Sequence, residues 1–168
     1  SYNYIARSLD LGANGIMIPM VNNQKEALKI VKYSKYPPLG RRGAGFGFAH
    51  NEYKKENPID VMEDANKTLI NIIQIENESG LENVEEIAKI DDVDCLWVGH
   101  FDLSNFLGVP GQFDSKLYLN AINRIVKAGM KNKKSLGIMV SKRQEMDFYF
   151  NLGFNVIAVG TEMSLLMD

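Results

Sequence analysis

Five short apolar runs, each preceded by a helix-like segment, dominate the organisation of this chain. They are residues 15–21 (GIMIPMV), 70–76 (INIIQIE), 94–99 (DCLWVG), 136–141 (LGIMVS) and 155–160 (NVIAVG). All are rich in Ile, Val, Met or aromatic residues and nearly continuous in apolarity. Parallel strands covered on both faces read this way, whereas half-exposed antiparallel strands alternate. Helical segments are expected over 3–11, 23–33, 59–68, 80–89, 115–133 and 142–151. Asn57-Pro58 opens the third of these, with proline in the first turn. Ser79 and Glu82 make a capping box for the fourth, and Gly153 stops the last. Repeated helix–strand alternation implies a parallel sheet with right-handed crossovers. Both an open doubly wound sheet and a β/α barrel fit, as one domain over residues 1–168.

Composition narrows the function classes. A formal net charge of -2 argues against a general nucleic-acid binder. The single cysteine, Cys95, excludes an intrachain disulfide. No apolar run approaches the roughly 20 residues that span a bilayer. The first residues, SYNYIARSLD, carry no basic stretch followed by an apolar core, so no secretory signal is expected. The expectation is a cytoplasmic protein without a membrane partner.

Two long connections, residues 36–57 and 100–114, interrupt the alternation. Both are expected on the side where strands end, which carries the site in parallel α/β folds. Ile72, Gln74 and Glu76 share one strand face, with Ile73 and Ile75 on the other. The first face therefore turns polar toward its C-terminal end, either as a strand end emerging into solvent or as a site at a barrel mouth. Asp102 lies just past the next strand and can converge with Glu76 on one rim. It reads equally as the helix N-cap of DLSNFLG. Two carboxylates without a thiol or imidazole form a hard-ligand set suited to Mg²⁺ or Mn²⁺.

Taken together, LDLGANGIMIPMV, YPPLGRRG, QIEN and WVGHFDLSNFLGVPGQF resemble the HpcH/HpaI aldolase family, metal-dependent class II aldolases of 2-oxo-3-deoxy acids. The resemblance implies a (β/α)8 barrel, of which this chain would hold about the last five units, commonly assembled as a homo-hexamer. It implies Glu76 and Asp102 as metal ligands for Mg²⁺ or Mn²⁺, with Co²⁺ as a further candidate. Gln74 would contact the 2-oxo acid, and Phe101 would offer its backbone N–H to the substrate carboxylate. Asp10 would support the family's catalytic histidine. That histidine and an enolate-stabilising arginine belong to the first three units, so they have no counterpart here. The implied reaction cleaves a 4-hydroxy-2-oxo acid to pyruvate and an aldehyde. A related coenzyme A thioester lyase of the citrate lyase β branch and a non-catalytic partial barrel are the alternatives. An open five-strand piece would expose two edges, so the chain is expected to be part of a longer protein or to pair with another chain.

The remaining polar and aromatic residues read as follows. Arg41 and Arg42 precede a glycine-rich turn and serve either as loop-fixing arginines or as an anion site. His50 suits substrate or interface contacts, and His100, inside the GHFD motif, suits support of the metal motif. Neither replaces the family's base. Cys95 reads as core rather than nucleophile. Trp97, Phe101 and Phe106 pack or shape the mouth, and Met139 lines the pocket.

Overall fold

A computed structural model describes residues 1–167. Five strands form one parallel sheet in the order β1-β2-β3-β4-β5. They are β1 (Gly15–Ile18), β2 (Ile70–Ile75), β3 (Cys95–Val98), β4 (Ser135–Val140) and β5 (Val156–Val159). Each of the five apolar runs thus coincides with a strand to within a few residues, β4 beginning one residue before its run. Helices α1 (Tyr2–Asp10), α2 (Gln24–Ser34) and α3 (Pro58–Thr68) precede or join the first two strands. After β2 come α4 (Glu78–Glu82) and α5 (Val84–Ala88). After β3 come α6 (His100–Phe106) and α7 (Lys116–Lys131), and α8 (Arg143–Leu152) and α9 (Glu162–Met167) follow β4 and β5.

Three local expectations are corrected. The helix expected over 80–89 is two short helices that meet at Asn83, whose φ of -104° and ψ of 8° depart from helical values. Its side chain donates to the Asn22 and Ser79 carbonyls, at 3.1 and 2.9 Å. The cap of α4 is Asn77 rather than Ser79: the Asn77 side chain accepts from the Gly80 N–H at 2.7 Å. The connection 36–57 lies between α2 and α3, before β2. It therefore sits at the end where strands begin: Ala49 packs against Gly12, which precedes β1. A segment that follows a helix and leads into the next helix and strand has already returned to that end.

The sheet has one covered face and one open face. Ile73, Ile75, Leu96, Val98 and Ile138 point into the helices and are fully buried. They pack with Ala27, Ile87, Ile122 and Ile125 of α2, α5 and α7 in one core. The opposite face presents Met17, Ile72, Gln74, Trp97, Met139 and Val156, which are half-buried or exposed. It is the inner surface of a half-barrel.

The strand-starting end is tied by buried polar contacts. Lys35 Nζ, 4% exposed at the side chain, donates to the Asn66 and Leu69 carbonyls at 2.6 and 3.2 Å and faces Asp92 at 3.6 Å. Asp94 accepts from the Asn71 N–H at 2.7 Å, and Lys134 Nζ donates to the Ile90 carbonyl at 2.6 Å. The helix that carries the chain away from β1 is fixed by reciprocal capping. Asn23 accepts from the Glu26 N–H at 3.0 Å, while Glu26 accepts from the Asn22 N–H at 2.8 Å. Asn23→Ala should lower stability by about 1 kcal/mol, read as a shift of the urea midpoint at unchanged slope.

Candidate active site at the C-terminal rim

β2 carries Gln74 and Glu76 outward from the sheet on the open face, and β3 runs beside it with Gln74 level with Trp97. Glu76 is only 2% exposed. One carboxylate oxygen accepts the Met20 N–H at 2.7 Å, and the other accepts the Gln74 amide at 2.5 Å. Met20 holds a positive φ of 56°, turning its N–H toward β2 as the chain leaves β1. Among the described residues no lysine, arginine or histidine pairs with Glu76. A buried carboxylate held only by neutral donors is costly unless a cation completes its surroundings.

Sequence reasoning missed Gly99, which closes this arrangement. A Cβ placed there would lie 2.3 Å from Glu76 Oε2, 2.6 Å from Glu76 Cβ and 2.7 Å from Gln74 Nε2. Only glycine lets both side chains lie over the end of β3. The pattern WVGH offered a signal, since a glycine directly after a buried strand often marks a close approach.

Gly99 also occupies the N-cap position of α6, whose first helical bond runs from the Leu103 N–H to the Gly99 carbonyl at 2.8 Å. The preceding N–H groups, Phe101 among them, have no partner within the helix. Asp102 stands exposed in this first turn and makes no capping bond, so the N-cap reading of it is corrected. Gln74 and Glu76 thus fall at the end of β2, and Phe101 and Asp102 on the first turn of the helix that follows its neighbour β3. Among the described residues no group of three or more His, Cys, Asp or Glu side chains could hold a metal ion. The two carboxylates would have to leave most positions to substrate oxygens and water, as Mg²⁺ and Mn²⁺ sites commonly do.

Asp10 is placed elsewhere. It closes α1 ahead of β1 and accepts from Arg42 at 2.8 Å. The length of β2, about 20 Å, separates that end from Glu76. Arg42 is buried, stacks over the Tyr36 ring at 4.6 Å and lines a cavity of about 390 Å³ with His50. Both ring nitrogens of His50 are buried without a partner among the described residues. His100 is half-buried at the Glu76 end, its ring 5.2 Å from that of Phe113. Burial holds it below the ordinary imidazole range, opposed by Glu145 and Asp102. Cys95 is buried in β3, and burial, with Asp94 adding, pushes its thiol up to about 12, which leaves it unreactive as a nucleophile. Trp97 is half-buried on the open face; Phe101 and Phe106 are exposed near the rim.

The model of a family described as HpcH/HpaI aldolase/citrate lyase matches residues 2–168. The chain is 34% identical over 162 residues to a hydroxypyruvate/pyruvate aldolase from Delftia acidovorans. The alignment takes in 96% of the chain and 60% of that protein. A 4-hydroxy-2-oxo-heptane-1,7-dioate aldolase from Shigella flexneri is 32% identical over the same shares. The chain therefore spans 60% of the length of each of these relatives. The crystal structure of an HpcH/HpaI aldolase from Desulfitobacterium hafniense superposes with a TM-score of 0.94 at 26% identity. It covers 99% of this chain and 64% of that one.

Proposed function

Because the chain belongs to the HpcH/HpaI aldolase/citrate lyase family, we propose that its C-terminal rim is the pyruvate-binding half of an aldolase site. The reaction is reversible cleavage of a 4-hydroxy-2-oxo acid to pyruvate and an aldehyde. Three further strands would close the half-barrel into a (β/α)8 barrel, covering the open apolar face and both sheet edges. They come from the same protein or from another chain, and the assembled enzyme is a homo-oligomer in the cytoplasm.

The observation that carries this reading is Glu76: buried, ringed by neutral donors and set beside a helix start bearing Asp102. Glu76 and Asp102 would hold a divalent cation, Mg²⁺ or Mn²⁺, with Co²⁺ as a further candidate. Such an ion would supply Lewis-acid charge at the 2-oxo acid end of the substrate. Met20 N–H and the Gln74 amide hold the Glu76 carboxylate in place. Gln74 is then positioned to meet the 2-oxo group, and the Phe101 N–H to donate to the substrate carboxylate. Neither histidine of the chain is set to take the proton of the C4 hydroxyl. His50 lies at the opposite end, and His100 packs on Phe113. Asp10, held by Arg42, would serve a catalytic histidine only at its own end of the barrel.

Trp97 is the single tryptophan and sits level with Gln74, so it reports on the site. Pyruvate should change its fluorescence in the presence of Mg²⁺, and EDTA should reverse the change. With the barrel completed, pyruvate release from a 4-hydroxy-2-oxo acid should stop on adding chelator. A pyruvate response unaffected by chelator, or no response with any of the three metals, would overturn the reading.

A further inference from the structure

A second cavity adjoins the rim on the far side of Gly99. It has a volume of about 420 Å³ and lies beside the end of β4, lined by His100, Phe113, Leu119, Met139, Gln144 and Phe148 among others. Val98 pairs with Ile138 and Ile75 with Val98. One residue further along, Glu76, Gly99 and Met139 therefore form a single layer across β2, β3 and β4. Two strand spacings put Met139 about 10 Å from Glu76. His100 links the two places from the other side, being the residue between Gly99 and Phe101.

Resting on the aldolase reading above, we propose that this cavity receives the aldehyde-derived half of the substrate and selects an uncharged, apolar tail. Met139 and Phe148 reach into it while 36% and 48% exposed, so a tail lying on them removes apolar surface from water on both partners. Its size is that of a small-ligand pocket. The charge pattern sets the selectivity. The lining includes Asp114 and Glu145 and neither a lysine nor an arginine. Glu145 is already engaged, accepting from the Ser141 N–H at 3.0 Å as a helix cap. A tail ending in a carboxylate would meet two acids and no cation, and would lose hydration without gaining a partner. This chain should therefore differ in selectivity from an aldolase whose substrate is a dioate.

The test uses Trp97 fluorescence in Mg²⁺ with three 2-oxo acids: pyruvate, 2-oxooctanoate and 2-oxooctanedioate. The expected order has 2-oxooctanoate binding at least about tenfold more tightly than pyruvate, since each buried methylene contributes about fourfold. 2-Oxooctanedioate should fall well behind 2-oxooctanoate. Phe148→Asp, which removes apolar lining and adds an acid, and Gln144→Trp, which fills the space from an exposed helix position, should both bring the octanoate-to-pyruvate ratio close to one. Equal affinity for pyruvate and 2-oxooctanoate, or a ratio that survives Gln144→Trp, overturns the subsite while pyruvate binding stands. Absence of any pyruvate response overturns the underlying site reading instead.

Discussion

Glu76→Gln should abolish divalent-metal binding while leaving the fold in place. The substitution keeps shape and volume and removes one formal charge from a side chain that is 2% exposed. The amide oxygen can still accept the Met20 N–H, as Glu76 does at 2.7 Å. The other position becomes an NH₂ facing the Gln74 amide, which donates there in the native chain. Rotating the Gln74 amide by half a turn exchanges its NH₂ for its oxygen and restores a bond. The structural cost should therefore stay near 1 kcal/mol, a melting shift of about 2–4 °C for a chain of this length. Metal affinity should fall far more, by at least about 100-fold. Even partners that merely orient a ligand change affinity 10–100-fold, and here the ligand itself is neutralised. Calorimetric titration with Mn²⁺ measures the first quantity and thermal melting the second. Native Mn²⁺ affinity in the Gln variant would remove Glu76 from the metal site. Asp102→Asn offers the complementary comparison. That carboxylate is exposed and bonds nothing in the fold, so its loss should reduce metal binding at no cost in stability.

The contrast between these carboxylates shows how far the sequence can be read. The QIE alternation puts Gln74 and Glu76 on one face because strand periodicity is local and survives any tertiary context. The five strands were legible for the same reason, being dense in β-formers and bounded by turn residues. What stayed hidden depends on where segments meet in space. Asp10 and Arg42 are 32 positions apart, and their ion pair follows from folding the 36–57 connection back against α1. That this connection lies at the strand-starting end was recoverable in principle, because it follows a helix and precedes another helix and strand. Treating it only as a long interruption of the alternation puts it at the wrong end. Asn77 displaced Ser79 as the α4 cap because side chains at both positions can cap, and only the direction of the chain leaving β2 decides between them. Gly99 was missed for a different reason: its role is an absence of atoms, which no propensity scale records and at which only its place directly after a buried strand hints.

Gly99→Ala should accordingly damage stability and site together. The new methyl carbon would sit 2.3 Å from Glu76 Oε2 and 2.6 Å from Glu76 Cβ. Glu76 cannot swing clear, since it is buried and its other oxygen is held by the Met20 N–H. Either the turn from β3 into α6 shifts outward, carrying Phe101 and Asp102 with it, or Glu76 gives up the Met20 and Gln74 bonds. Overpacking of this kind costs about 1–3 kcal/mol, so melting should fall by about 2–4 °C for each of those kcal/mol. On either path the two carboxylates lose their relative placement, and Mg²⁺-dependent pyruvate binding should drop by at least about 100-fold, because misplacement by an ångström already costs about that much in aligned sites. A second substitution separates the two effects. Gln74→Ala in the Gly99→Ala background removes the 2.7 Å contact and gives Glu76 room to move. It should recover part of the stability, a coupling of about 0.5–3 kcal/mol between touching residues. It should not recover pyruvate binding, because Gln74 itself is needed to hold Glu76 and meet the 2-oxo group. Pyruvate binding weaker in the double variant than in Gln74→Ala alone places Gly99 in the construction of the site; equal binding in the two means that Gly99 serves only packing.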